Sequence, residues 1–358
     1  MTNKDLIGDL GERKLIEMII KKSESFQTKY FDKNSLKSHI GDDAGIIAIG
    51  NKFLVLSSDM LIEKHHFPKE MTYYQRGFKA VTVNLSDIAG MGAYPVGILI
   101  SLALPKNLPI NEYDNLLDGI IEACQFYNSP LLGGDTNEGD ELIISGTGIG
   151  ISDDENVLMQ YGFKNNDLIA ISGEIGLSAI GFEILNQGLE KTKRLLMDND
   201  INSEFIDTSI SKILSPMAKV KEGIMLKRSK TVTSATDITD GLSIELHQIH
   251  NSSIKYNRGN SEDLGFMIYE DKIPFIDTIK KIAILLNKDY QDLIFNFGED
   301  FELLFTIDSN KINEFKEYFK DKKYYIIGEV NKSNKIQVSL INGKIKEIDL
   351  KGYQHFNK

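Results

Sequence analysis

Residues 72–104 read TYYQRGFKAVTVNLSDIAGMGAYPVGILISLAL, a stretch that changes its hydrophobic period halfway along. The first part, 72–90, has helical spacing, and VGILISLAL (96–104) has the unbroken apolar character of a buried strand. Asp87 falls near the end of the expected helix, where a negative charge opposes the helix dipole. Asn84 lies one turn back on the same face. The neighbours Leu85, Ile88, Ala89 and Gly90 are apolar or small, which fits poorly with a plain solvent-exposed helix end. A cation beside Asp87 would remove the conflict.

Strands and helices alternate outward from this stretch in both directions. Toward the N-terminus come a helix at 11–22 and strands at 45–50 and 53–58. Toward the C-terminus come a helix at 111–127, a short strand at 130–132 and a longer one at 141–151. A second series follows: a strand at 167–173, a helix entered through glycine at 176–185, helices at 216–227 and 241–251, and strands at 231–236, 264–270 and 301–307. A helix near 309–320 and strands near 324–330 and 335–340 end it. The polar stretch 188–206 reads as an insertion or flexible connection. The pattern implies an α/β protein of two α/β domains, 1–155 and 156–358. GTGIG (146–150) sits inside a strand pattern and reads as packed strand, and there is no GxxxxGK[ST] loop.

With 358 residues, 41% hydrophobic and 26% charged, the chain can bury a sizeable core. No apolar run is long enough for a membrane span. The single cysteine, Cys124, and an N-terminus without a signal-peptide core fit a cytoplasmic protein. A net charge of −11 argues against nucleic acid as a partner. It does not argue against phosphates, provided metal ions stand between them and the carboxylates.

The acids gather in six places: IGDDAG (40–45), SSDM (57–60), NLSDIAGMGA (84–93), GGDT (133–136), TDITDGL (236–242) and FGEDFELLF (297–305). Four of these abut apolar strands, so their carboxylates can converge in a cleft. Carboxylates brought together out of water repel one another unless something neutralises them, and Mg²⁺ does so while keeping sites for phosphate oxygens. Taken singly, each has an ordinary reading. Asp42 and Asp43 suit a turn, Asp240 an N-cap, and Glu299–Asp300 a solvated loop. Gly133 and Gly134 let the backbone at Asp135 turn sharply or approach a ligand. His65 and His66 follow soon after Asp59, and SGEIGLSAIG (172–181) makes a turn that could present N–H groups to an anion.

In order, IGDDAG, SSDMLIEKHHF, KAVTVNLSDIAGMGAYPVG, GGDT, DITDGL and GEDFELLFT make the chain resemble the thiamine-monophosphate kinase family, within the superfamily that includes aminoimidazole ribonucleotide synthetase. The resemblance runs from the N-terminal helix to KGYQHF (351–356). It implies phosphorylation of thiamine monophosphate by ATP with Mg²⁺, in a homodimer whose N-terminal domains form a shared β-barrel. By motif, Asp43, Ser57, Ser58, Asp59, Asp87, Asp135, Asp237 and Asp240 match metal positions, with Asp59, Asp135 and Asp240 at the chemistry. Gly134 and Thr239 match nucleotide contacts. His66, Glu299 and Tyr353 match thiamine contacts. Gln160 stands where relatives often carry a nucleotide-contacting arginine, and Leu350 where some carry tryptophan. An arginine restored at 160 is expected to strengthen ATP binding or leave it unchanged. Other enzymes of the superfamily, or an inactive nucleotide-binding relative, are the alternatives. The missing reactive N-terminal cysteine, the missing C-terminal cysteine and the Gly-Glu-Asp motif weigh against the first group.

Overall fold

The structure is a computed structural model that describes residues 7, 10–30, 41–153, 156–256 and 264–353, with side chains 24–30 and 256 left aside. The first part runs α1 (Glu12–Tyr30), β1 (Gly45–Ile49), β2 (Lys52–Ile62), α2 (Glu63–His66), α3 (Tyr73–Gly90), β3 (Tyr94–Leu104), α4 (Ile110–Phe126), β4 (Leu131–Glu138) and β5 (Ile143–Ser152). The second runs β6 (Leu168–Ile171), α5 (Leu177–Asn186), α6 (Leu189–Met197), α7 (Ser203–Leu214), α8 (Val220–Ser229), β7 (Val232–Ile238), α9 (Leu242–Tyr256), β8 (Gly265–Tyr269), α10 (Ile276–Leu286), β9 (Glu302–Ile307), α11 (Ile312–Tyr318), β10 (Tyr325–Asn331), β11 (Ile336–Ser339) and β12 (Ile345–Glu347).

Among the described residues β1–β5 form an open five-stranded sheet in the order β1-β2-β5-β3-β4, antiparallel except for the parallel β3–β4 pair. The other strands form a seven-stranded sheet in the order β12-β11-β8-β10-β6-β9-β7. The mixed α/β architecture with two sheets agrees with the sequence reading. Strand β4 is longer than PLL alone suggests and carries the whole GGDT motif.

Helix α3 covers one face of the first sheet. Its start is fixed by a capping box, in which Thr72 and Gln75 exchange side-chain and backbone bonds. It lies close over β5 because that strand presents glycines inward: a Cβ at Gly146 would stand 2.1 Å from the Asn84 side chain, and one at Gly148 2.7 Å from the Asn84 carbonyl. Ile46, Val55, Leu61, Ile98, Ile100 and Ile144 fill the covered face. The other face leaves Ile47, Ile49, Met60, Val96, Leu99, Leu131 and Leu132 exposed. On the second sheet, Ile169, Ile171, Leu304 and Ile327 pack with residues of α5, α9 and α10. Ala170, Leu303, Phe305 and Ile307 join the core of the first half instead. The two halves therefore share packed apolar surface.

The stretch 188–206 differs from its sequence reading. It forms α6 and the start of α7, with Thr192, Leu196, Ile201 and Ile206 buried. Its polar composition belongs to the outer faces of two amphipathic helices, whose inner apolar positions are too sparse to stand out.

Helices α3 and α4 cross at contact distance. A Cβ at Gly119 would lie 1.9 Å from the Tyr74 carbonyl oxygen, and one at Gly77 would lie 2.1 Å from that of Leu116. Gly119→Ala should therefore lower unfolding stability by about 1–3 kcal/mol in spite of alanine's better helix propensity. Denaturant titration checks this. A higher midpoint would mean that the two helices separate without cost.

Candidate active site

Strand β2 and helix α3 bring the first group of acids together. Ser57 and Asp59 pair across β2–β5 with Gly148 and Gly146, so both side chains point to the α3 face. Ser57 Oγ donates a short hydrogen bond to the Asp87 carboxylate. The Asp59 N–H donates to Asn84 Oδ1 (3.1 Å), and Asn84 Nδ2 donates to the Ala80 carbonyl (2.9 Å). The spacing of Asn84 and Asp87 thus serves two ends: one residue holds the strand and the other faces the cluster.

Asp43 and Asp237 complete the group from the far side. Asp43 Oδ1 accepts from Thr236 Oγ1 (2.6 Å) and Gln160 Nε2 (2.7 Å). Asp43 Oδ2 and Asp237 Oδ2 are buried without a hydrogen-bond partner. Burial, with the charge of Asp42 added, pushes the Asp43 carboxyl up to about 7. Asp87 is held well above the usual carboxylate range by burial and then by Asp59, Asp237 and Asp43, and Asp237 by burial and then by Asp43. Asp59 is raised by burial, and Asp240, by burial and then by Glu12 and Asp237, goes to about 7. Buried Glu245 on α9 accepts the Asp240 N–H (3.1 Å).

This donor set suits a hard divalent cation: all oxygen, mutually repelling, with two orphaned carboxylate oxygens. Among the described residues no three His, Cys, Asp or Glu side chains converge tightly enough to form a finished metal site. That is compatible with Mg²⁺, which typically takes one or two carboxylates and completes its shell with water and phosphate oxygens.

A 680 Å³ cavity opens beside the cluster, and Asp59, Asp87, Asp240, His66, Glu299 and Tyr353 all line it. The His66 and Tyr353 rings lie 6.4 Å apart, edge to face. The Tyr353 N–H donates to the Asp240 carbonyl (3.1 Å), which docks the C-terminal segment on the loop after β7; residues 354–356 of KGYQHF lie outside the described residues. Glu299 has a left-handed φ of 65°, uncommon for a side chain other than glycine. Its N–H donates to the Thr239 carbonyl (2.8 Å), and Gly298 allows that approach, since a Cβ there would stand 1.9 Å from the same oxygen.

Four residues sit apart from the buried cluster. Ser58 and Asp135 point to the other, exposed face of the first sheet. Ser58 Oγ donates to the Gly146 carbonyl (2.8 Å), and Asp135 accepts from the Thr136 N–H (2.9 Å) and Asn137 Nδ2 (2.7 Å). Gly134 lies where β4 presses on β3, and a Cβ would meet the Ile100 carbonyl oxygen at 1.6 Å, so packing alone demands glycine. Asp300 is not one of the cluster: it accepts the Gly176 N–H (3.0 Å) and Ser178 Oγ (2.7 Å) at the start of α5. That contact also occupies the turn in SGEIGLSAIG with an internal carboxylate.

Sequence reading alone passes over Lys79, Glu12 and Thr236. Lys79 is 1% exposed, pairs with Glu299 through a short ion pair and donates to the His66 carbonyl (2.8 Å). A lysine inside the apolar run KAVTV is the signal that marks it, because lysine is almost never buried without a partner. Glu12, in the first turn of α1, lines the same cavity.

The family model for AIR synthase related protein, N-terminal domain, matches residues 41–152. A thiamine-monophosphate kinase from Pyrococcus abyssi is 34% identical over 327 residues, 91% of this chain and 92% of its own. A solved structure described as AaThiL complexed with AMPPCP and TMP superposes with a TM-score of 0.77 at 27% identity, covering 99% of this chain and 100% of that one. Thiamine monophosphate kinase from Aquifex aeolicus superposes with a TM-score of 0.70 at 25% identity, covering 94% and 99%.

The Lys79–Glu299 pair joins α3 to the loop before β9. Lys79→Ala should cost about 3–5 kcal/mol of stability by leaving Glu299 unpaired in a confined site, and Lys79→Met with Glu299→Gln should recover most of it. A double-mutant cycle by denaturant unfolding reads both. A loss below ~1 kcal/mol for Lys79→Ala would mean that solvent already screens the pair.

Proposed function

This chain belongs to the thiamine-monophosphate kinase family, and from that premise we propose that it transfers the terminal phosphoryl group of ATP to thiamine monophosphate, giving ADP and thiamine diphosphate. The observation that carries the reading is a single cavity whose lining combines the carboxylates of Asp59, Asp87 and Asp240 with the rings of His66 and Tyr353. The acceptor is a phosphate monoester, largely ionised near neutral pH, so it needs little help from a general base. It needs in-line placement and relief of repulsion between two polyanions.

Asp43, Ser57, Asp59, Asp87, Asp237 and Asp240 would hold Mg²⁺ on the covered face of the first sheet, and Ser58 and Asp135 on the exposed face. Bound there, the ions would neutralise the phosphate charge that builds up during transfer. Asp59 and Asp240 stand at the reacting phosphates in this reading, and Asp135, on the opposite face of the sheet, would join such a site only in a second copy of the chain packed on that face. Gly134 and Thr239 orient the nucleotide through backbone and hydroxyl groups. In the same cavity, Tyr353 offers an aromatic face to the thiazolium cation, and His66 a donor toward the phosphate. Glu299 contributes a carboxylate whose position Lys79 fixes.

The exposed face of the first sheet suits a second copy of the chain. It carries seven large apolar side chains, with Ser58 and Asp135 among them, so a dimer closing its sheets into a shared β-barrel would bury both. The division into domains at 1–155 and 156–358 follows the two sheets. No helix among the described residues is long and apolar enough to cross a membrane. A cytoplasmic setting agrees with the unpaired Cys124.

A coupled assay for ADP release, with and without thiamine monophosphate, tests the activity. We expect release that depends on both the acceptor and a divalent ion; turnover in excess chelator would refute the metal role. Asp135→Asn should lose nearly all turnover while keeping its melting temperature.

His66→Ala and Tyr353→Ala should each raise KM for thiamine monophosphate much more than KM for ATP. Equal damage to both constants would show that the thiamine end has been misassigned.

A further inference from the structure

Gln160 does not line the 680 Å³ cavity. It lies at the seam between the halves, 1% exposed, in the segment that leads from the first sheet to the second. Its amide is fully engaged. Nε2 donates to Asp43 Oδ1 at 2.7 Å and lies 3.3 Å from both Thr236 Oγ1 and Gln248 Oε1. Oε1 accepts from Ser252 Oγ at 3.1 Å. Gln248 and Ser252 both stand on α9, so the amide is clamped by one helix and aimed at one carboxylate.

That carboxylate is divided between two environments. Its Oδ1 is saturated by Gln160 and Thr236. Its Oδ2 is buried, has no hydrogen-bond partner and lies against Gly90, where a Cβ would come within 2.3 Å of it. A buried acceptor left bare is costly unless something else is meant to fill it. The identity of the donor at Oδ1 then matters. An amide fixes the carboxylate's rotation without cancelling its charge. A guanidinium would form a paired, charge-neutralising contact and compete with a cation.

We propose that Gln160 is a positioning residue for metal binding: held by Ser252 and Gln248, it locks Asp43 so that Oδ2 is presented to a divalent cation. The inference rests on the metal reading above and adds a residue to it. It replaces the expectation that arginine at 160 would help. In this chain arginine would take Asp43 for itself and weaken cation binding.

The test is calorimetric titration of Mg²⁺ into the full-length, nucleotide-free protein. Gln160→Met keeps the length and bulk of the side chain and removes its polar atoms. We expect it to weaken Mg²⁺ binding by about ten- to a hundredfold, the usual effect of losing a group that orients a ligand. The melting temperature of the metal-free variant separates this from general loosening. An unchanged dissociation constant in a folded variant overturns the proposal. Should Gln160→Met fail to fold, Ser252→Ala removes only the hydroxyl behind Oε1 and should weaken Mg²⁺ binding several-fold; no change there overturns it equally. Wild-type protein that binds no Mg²⁺ would instead overturn the metal reading itself, and with it this inference. That outcome is distinct from a variant that matches a binding wild type.

Discussion

Helix α3 lies against the first sheet only because β5 carries glycine at 146, 148 and 150. Side chains at those positions would collide with Asn84 or Ile88. The close approach sets everything that follows. It buries Ile88 and Leu85 in the core, lets Asn84 hold the Asp59 backbone, and brings Asp87 to Ser57. At the far end of the same helix Gly90 leaves room for Asp43, and a Cβ there would also stand 3.2 Å from the Asp237 N–H. At its middle Lys79 reaches across to Glu299. One helix, set at one height, thus positions groups from β2, the loop before β1, the end of β7 and the loop before β9.

The acidic cluster works against stability. Burial raises the proton affinity of Asp43, Asp59, Asp87 and Asp237, and neighbouring carboxylates raise that of Asp87 and Asp237 further. Among the described residues no lysine, arginine or histidine forms an ion pair with them, whereas Glu302 and Glu299 each have lysine partners. A fold that supplies lysines to its structural carboxylates and withholds them from a neighbouring group keeps that group for a ligand. The same contrast separates Asp300, bonded to the start of α5, from the aspartates of the cluster.

Much of this was legible in the residues. The period change at 72–104 marks the helix and the buried strand after it, GTGIG reads as packed strand, and the acids at strand ends point to carboxylates converging in a cleft. Asp87 was marked by its conflict with the helix dipole. What stayed hidden depends on long-range partners. Asp300 looks like the other acids until Gly176 and Ser178 are seen to occupy it. Gln160 looks like a lost arginine until Asp43 is seen in front of it. Ser58 and Asp135 carry motifs equal to those of Ser57 and Asp59, but the alternation of a strand sends them to the opposite face. The helices in 188–206 were obscured because few of their residues face inward.

The Lys79–Glu299 pair also bears on how the chain is made. Its partners are 220 residues apart, so when α3 leaves the ribosome its lysine has no counter-charge. At ~5–20 residues per second the carboxylate follows about 10–40 s later. Until then Lys79 has the His66 carbonyl but no carboxylate partner, so its charge is left uncompensated. The apolar surface that Leu303, Phe305 and Ile307 cover likewise stays open until the second half is synthesised. In a crowded cell that interval is when the nascent chain is most open to chaperones, proteases and wrong partners.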